Sequence, residues 1–178
     1  MPASNRSVKP YHYLILGGWL TFVLVAAVYF IRIRLVPFDP NKKLKGIESE
    51  LIVNQISQIE SLVNKKLSNT IIHFTSTGCH CTQFSETHKK TINNSAESDG
   101  FNIINVRLDP KHLNSIIPST PAVLLVDKLG GLLYFGPYSQ GLACSESNGL
   151  IEIVLNNYQK GFSSKLIMNE AEGCYCNT

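Results

Sequence analysis

Thr70-Ile71-Ile72-His73-Phe74-Thr75 runs straight into Ser76-Thr77-Gly78-Cys79-His80-Cys81. The first six residues are dominated by β-branched and apolar side chains, which reads as a short buried strand. Ser76-Thr77-Gly78 breaks it. The stretch from about Cys79 to Ala96 reads as a helix with a thin apolar face at Phe84 and Ile92. The first pair of cysteines therefore falls between the end of a strand and the start of a helix. Amides and the macrodipole at a helix N-terminus stabilise a thiolate and lower its pKa. The thiolate is the attacking species in disulfide exchange.

Working outward, Phe101 to Leu108 alternates apolar and polar residues as a second strand. Lys111 to Ile117 reads as a short helix or turn, and Ala122 to Val126 as a third strand. Asp127-Lys128-Leu129-Gly130-Gly131 is a hairpin turn whose glycines supply positive φ. Leu132 to Phe135 returns as a fourth strand. Leu150 to Tyr158 is a final helix, stopped by Gly161. Upstream, Ile47, Leu51, Ile52, Ile56, Ile59, Leu62, Val63 and Leu67 recur at helical spacing and predict about five amphipathic turns. A helical crossover joins the first two strands, so they pair in parallel. The tight hairpin makes the last two antiparallel. The class is α/β, with a central mixed four-stranded sheet.

The N-terminus is of another kind. Tyr13 to Ile31 holds nineteen residues without a charge, roughly 28 Å as a helix, which matches the hydrocarbon thickness of a bilayer. Tyr11, Tyr13, Trp19 and Tyr29 suit an interfacial belt. Arg32 and Arg34 end the run, and Val36-Pro37-Phe38-Asp39-Pro40 prevents the helix from continuing. The run is longer than a usual signal-peptide core, and no small-x-small cleavage site follows it. The division is an N-terminal tail over 1–12, a transmembrane anchor over 13–34, a linker over 35–46, a globular domain over 47–161 and a cysteine-bearing tail over 162–178.

Charge follows the same division. The 178-residue chain carries +3 overall. Seven Lys/Arg face one Asp up to Lys45, a net of +6, and nine face twelve Asp/Glu from Gly46 onward, a net of −3. The globular part is mildly acidic and offers no phosphate-binding surface, so nucleic acid is not an expected partner. An apolar fraction of 44% excludes a disordered or collagen-like chain. A positive-inside count places the domain in the cytoplasm, because more cations follow the run than precede it. The cysteine content argues for the opposite side.

Five cysteines lie in three places: Cys79 with Cys81, Cys144 alone, and Cys174 with Cys176. The strand His73-Phe74, the junction Gly78-Cys79-His80-Cys81 and the sequence Ser119-Thr120-Pro121 entering a strand together resemble the thioredoxin-like superfamily. The resemblance covers about residues 47 to 161. It implies a three-layer sandwich preceded by the transmembrane helix, and a cis proline facing the cysteines. Three further motifs are similar to a membrane-anchored bacterial branch of that superfamily, a domain of unknown function. They are Cys81-Thr82-Gln83-Phe84 with His88; Tyr134 to Tyr138 continuing to Cys144 with Asn148-Gly149-Leu150; and Gly173-Cys174-Tyr175-Cys176. The resemblance implies that Cys79 is the exposed nucleophile and Cys81 the resolving thiol. It also implies that backbone beside Thr120 and Pro121 pairs with an extended substrate segment. His80, when protonated, would stabilise the Cys79 thiolate.

The spacing departs from the superfamily's usual Cys-x-x-Cys. Residues two apart on a helix do not share a face, so a Cys79–Cys81 bridge requires Cys79 to lie before the first turn and curl back. The second Cys-x-Cys, Cys174 and Cys176, sits where chains are usually mobile. It has three readings: an internal redox relay, a structural bridge, or metal ligation. Cys144 is inert, paired with the tail, or a free thiol. His73 reads as a hydrogen-bonded core histidine and His88 as a surface or structural one. The leading expectation is a membrane-anchored thiol–disulfide oxidoreductase without cofactor or resident metal. Its partners are the bilayer and protein thiols or disulfides, and its domain lies on the periplasmic face of a bacterial inner membrane. The rivals are copper or zinc binding by Cys79, Cys81, Cys174 and Cys176, with His80 or His88 joining, and a non-catalytic interaction domain.

Overall fold

A computed structural model describes residues 9–109, 116–141 and 149–177. The chain forms two compact units, Met1–Arg34 and Leu35–Thr178. In the first, α1 (Pro10–Arg34) is a single helix apolar on all sides. Over Pro10–Ile33 it is long and apolar enough to cross a membrane, and none of that stretch is buried within the protein.

The second unit is mixed α/β. Its elements are β1 (Val36–Pro37), α2 (Ser49–Ser57), β2 (Thr70–Ser76), α3 (Thr82–Ser98), β3 (Asn102–Leu108), β4 (Ser119–Thr120) and β5 (Ala122–Val126). They continue with β6 (Leu132–Gly136), α4 (Leu150–Gln159), β7 (Leu166–Ile167), β8 (Glu172–Gly173) and β9 (Cys176–Asn177). The main sheet has the order β3-β2-β5-β6-β7. β2 and β3 are parallel, as the helical crossover predicts, while β5 runs antiparallel to both β2 and β6. The sheet has five strands rather than four, because the tail adds β7 in parallel to β6.

Alternation along β2 decides what each face holds. Ile72 and Phe74 enter one core with Ile52 and Ile56 of α2. Ile71 enters the other with Ile92 and Ala96 of α3 and Ile151, Val154 and Leu155 of α4. The sheet thus lies between α2 and the α3–α4 pair, and each helix buries only its apolar stripe.

Two local features differ from the sequence expectation. α2 lasts nine residues, after which the chain tightens into turns with three-residue hydrogen bonds at Gln58, Ile59, Leu62 and Lys65. The cause is the spacing of the fully buried anchors. Ile56 and Leu62 are six apart, which a straight α-helix would place on different faces. In the hairpin only Gly130 has a positive φ, of 88°. Gly131 is required for another reason: a Cβ there would stand 2.9 Å from Asp127 Oδ2. The Asp127 carboxylate accepts hydrogen bonds from the Leu129 and Gly131 amides and closes the turn. The expected helix or turn over Lys111–Ile117 falls, except for Ile116 and Ile117, outside the described residues.

The largest difference is the tail. It is held down by three strands. β7 extends the main sheet, β8 pairs with β1, and β9 pairs with β4. Ala171 is fully buried, and its carbonyl accepts the Phe38 amide at 2.8 Å.

Candidate functional site: four sulfurs at the mouth of α3

β2 ends at Ser76, and Gly78 takes a φ of +79°, which turns the chain toward α3. Cys79 lies in this turn and Cys81 is the N-cap of α3. Helix proper starts at Thr82, three residues later than the sequence pattern implies. Cys79 is half-buried, His80 exposed and Cys81 buried.

The two cysteines of this turn are not joined to each other. Cys79 is bonded to Cys176, and Cys81 to Cys174. The small Cys79–Cys81 ring considered from the spacing is replaced by two parallel bridges to the tail. The Sγ atoms of Cys79, Cys81 and Cys176 all lie within 4.8 Å of one another. The Cys79–Cys176 bridge is the outer one, with both members half-exposed. The Cys81–Cys174 bridge is the inner one, with its members only 9% and 8% exposed.

The Thr120–Pro121 peptide is cis. Cys79 Sγ lies 3.6 Å from the Thr120 carbonyl oxygen, so the proline loop adjoins the sulfurs. Thr120 and Pro121 are buried, and the hydroxyls of Thr120 and Ser76 are hydrogen-bonded at 2.6 Å. The edge expected to receive an extended substrate is occupied by β9, with Ser119 opposite Asn177 and Thr120 opposite Cys176.

Tyr175, between the tail cysteines, is the anchor that sequence reasoning missed. Only 6% of it is exposed. Its hydroxyl donates to the Ser139 carbonyl at 2.7 Å, and its ring meets Phe38 edge-on at 5.4 Å. Gly173 makes room for it, since a Cβ there would stand 2.7 Å from the tyrosine ring. An aromatic between two cysteines in a glycine-flanked tail was the available signal.

A buried polar group sits on the α3–α4 side of the sheet. The Tyr138 hydroxyl donates to His73 Nδ1 at 2.5 Å, and His73 Nε2–H donates to Asn93 Oδ1 at 2.7 Å. Burial holds the His73 pKa down to about 4, against a partial upward pull from Asn93. Burial likewise raises the Tyr138 pKa well above its ordinary value. His73 is therefore the neutral, hydrogen-bonded core histidine expected. His88 is buried, not a surface residue, and donates to Glu152. A side chain at Gly149 would collide with this pair. His88 is thus engaged away from the sulfurs. Cys144 lies outside the described residues.

Residues 49–178 match the DUF6436 family, a domain of unknown function, and the chain belongs to that family. No thioredoxin-like family matches alongside it. No curated protein and no solved structure matches the chain. The Cys-x-Cys turn, bridged to the C-terminal cysteines, fits a redox or a metal-binding role.

Proposed function

We propose that this protein is a membrane-anchored thiol–disulfide oxidoreductase of thioredoxin-like architecture. The observation that carries the reading is the sulfur cluster itself. Two bridges lie side by side at the start of a helix and beside a cis proline, and three of the four sulfurs are within 4.8 Å of one another. The order β3-β2-β5-β6, with its parallel first pair and antiparallel hairpin, supports the architecture.

The outer bridge is the point of exchange. A thiolate of a partner dithiol attacks Cys176 Sγ, the Cys79–Cys176 bond breaks, and Cys79 leaves as a thiolate favoured by the N-terminal end of α3. The partner's second thiolate then attacks its own sulfur in the mixed disulfide. The partner becomes a disulfide, and the electron pair and two protons remain on Cys79 and Cys176. The freed Cys79 thiolate lies within reach of Cys81; its attack there forms a Cys79–Cys81 disulfide, breaks the Cys81–Cys174 bond and releases Cys174 as a thiolate, which takes up the reducing equivalents. Cys81 is the sulfur attacked in this internal transfer, and the tail is an internal relay. All steps are reversible. His80, exposed beside Cys79, stabilises the thiolate when protonated. The backbone at Thr120 and Pro121, the substrate-pairing edge, serves the tail strand in the closed form.

α1 tethers the domain to a bacterial inner membrane, and disulfide chemistry favours the periplasmic face. A C-terminal alkaline phosphatase fusion is expected to be active; an inactive fusion reverses the orientation. The activity is tested with the full chain in detergent, assayed for glutathione-disulfide exchange and insulin reduction. Wild type turns over and Cys79→Ser does not. Equal rates in the two proteins refute the assignment.

A further inference from the structure

Beyond exchange, the tail's anchorage bears on what the four sulfurs do once reduced. Reducing both bridges does not remove what else holds the tail. Tyr175 remains buried against Phe38 and bonded to Ser139. The β8–β1 and β9–β4 pairings remain, and so does the Phe38 to Ala171 hydrogen bond. The four thiols therefore stay together, two at the head of α3 and two on a docked strand.

We infer that the reduced protein is a binding site for one tetrahedral d10 cation, Zn(II), on Cys79, Cys81, Cys174 and Cys176. The same sulfurs alternate between two disulfides and one metal centre. A Zn–S bond of about 2.3 Å places tetrahedral sulfurs roughly 3.8 Å apart. The Sγ atoms of Cys79, Cys81 and Cys176 already fall within 4.8 Å, and Cys174 is bonded to Cys81. Each opened bridge need widen by under about 2 Å, and Cys174, outside the 4.8 Å group, need also swing toward Cys79 and Cys176, both rotamer-scale adjustments. His88 is committed to Glu152 and does not join the four thiolates. Four thiolates select a soft or borderline cation over Mg(II) or Ca(II). The residual negative charge of such a centre is favoured at the N-terminal end of a 17-residue helix.

A phosphine or dithiol reductant breaks both S–S bonds, delivering four electrons, and four protons give four thiols. Zn(II) then displaces the four protons with no further electron transfer. Two molecules of a disulfide oxidant accept the four electrons and leave as four thiolates, both bridges re-form, and the ion is released.

The test uses the full chain in detergent, reduced with a phosphine and kept anaerobic. Zn(II) is titrated against a chromogenic chelator, and Co(II) is used as a spectroscopic substitute. One Zn(II) per chain is expected, with four thiols protected from alkylation and the intense visible bands of tetrahedral thiolate-bound Co(II). Oxidised protein is expected to bind none. Cys144→Ser is expected to leave the stoichiometry unchanged. Cys174→Ser is expected to weaken binding by more than the roughly tenfold cost of losing an outer-shell partner. Three results overturn the inference: reduced wild type that binds no Zn(II), any of the four thiols remaining open to alkylation in the loaded protein, or loss of binding in Cys144→Ser. Exchange activity, measured on the same oxidised preparation, reads the oxidoreductase proposal separately.

Discussion

The two bridges join the same two segments and differ in what surrounds them. Cys79–Cys176 closes over 97 residues and Cys81–Cys174 over 93. Either bridge alone removes nearly the same loop entropy from the unfolded chain, about 5 kcal/mol in the chain-entropy picture. The second then closes only a small ring through the two Cys-x-Cys segments, about 2 kcal/mol. The outer bridge is half-exposed to solvent, while the inner one is buried. Redundancy of this kind lets one bridge open without loss of the tail.

The largest effect tests that redundancy. Replacing all four cysteines with serine should cost about 7 kcal/mol of unfolding free energy, whereas Cys81→Ser with Cys174→Ser should cost about 2. Chemical denaturation of the three proteins measures both. A loss of about 5 kcal/mol in the double variant would mean that the bridges do not share a loop.

Tyr175→Ala comes next. Losing a buried aromatic costs about 4 kcal/mol. Under reducing conditions the variant's tail should become cleavable by protease while the wild-type tail stays protected. If the wild-type tail is equally cleaved when reduced, the bridges alone hold it.

His73 belongs to the buried polar group, which is distinct from the sulfur cluster. Above pH 6.5 the imidazole is neutral in both native and unfolded chains, and native stability is complete. As pH falls from 6.5 toward about 4, the unfolded chain takes a proton that the native state refuses. Stability should decline by about 3 kcal/mol over that window, with no further loss from this group below it. His73→Gln should flatten the decline in a series of denaturation curves.

The smallest effect is at the surface. Lys165 Nζ lies 2.7 Å from Glu50 Oε1, linking the tail to α2, but both side chains are well exposed. Lys165→Met should leave the Tm unchanged within error, as solvent screens such pairs. A clear loss would make this contact part of what docks the tail.

Much of the fold was legible because its elements are written in local patterns. The β2 run, the β5–β6 hairpin and the α4 stripe each carry their own periodicity and breaker residues, and all three appear where expected. α4 ends at a glycine with φ of 88°, and the Phe162 amide reaches back to the Asn157 carbonyl, as a glycine stop predicts. The site was legible in part. Cys79 and Cys81 were placed correctly at a strand–helix junction, and Thr120–Pro121 beside them. Their bridging partners were not, since 93 and 97 residues of intervening chain leave no local trace. The tail strands are two residues each, too short to show alternation.

Sequence alone determined the apolar N-terminal helix, the parallel-then-hairpin order of the main strands and the chemistry that sulfur at a helix start can perform. Each depends on residues close together in the chain, through periodicity, turn geometry or the helix dipole. Only the tertiary structure decided that the tail is docked, that each cysteine of the turn is bridged to the tail rather than to its neighbour, and that Tyr175 is the fixing point. Those outcomes depend on which distant surfaces exclude water together, and that is a property of the packed chain as a whole.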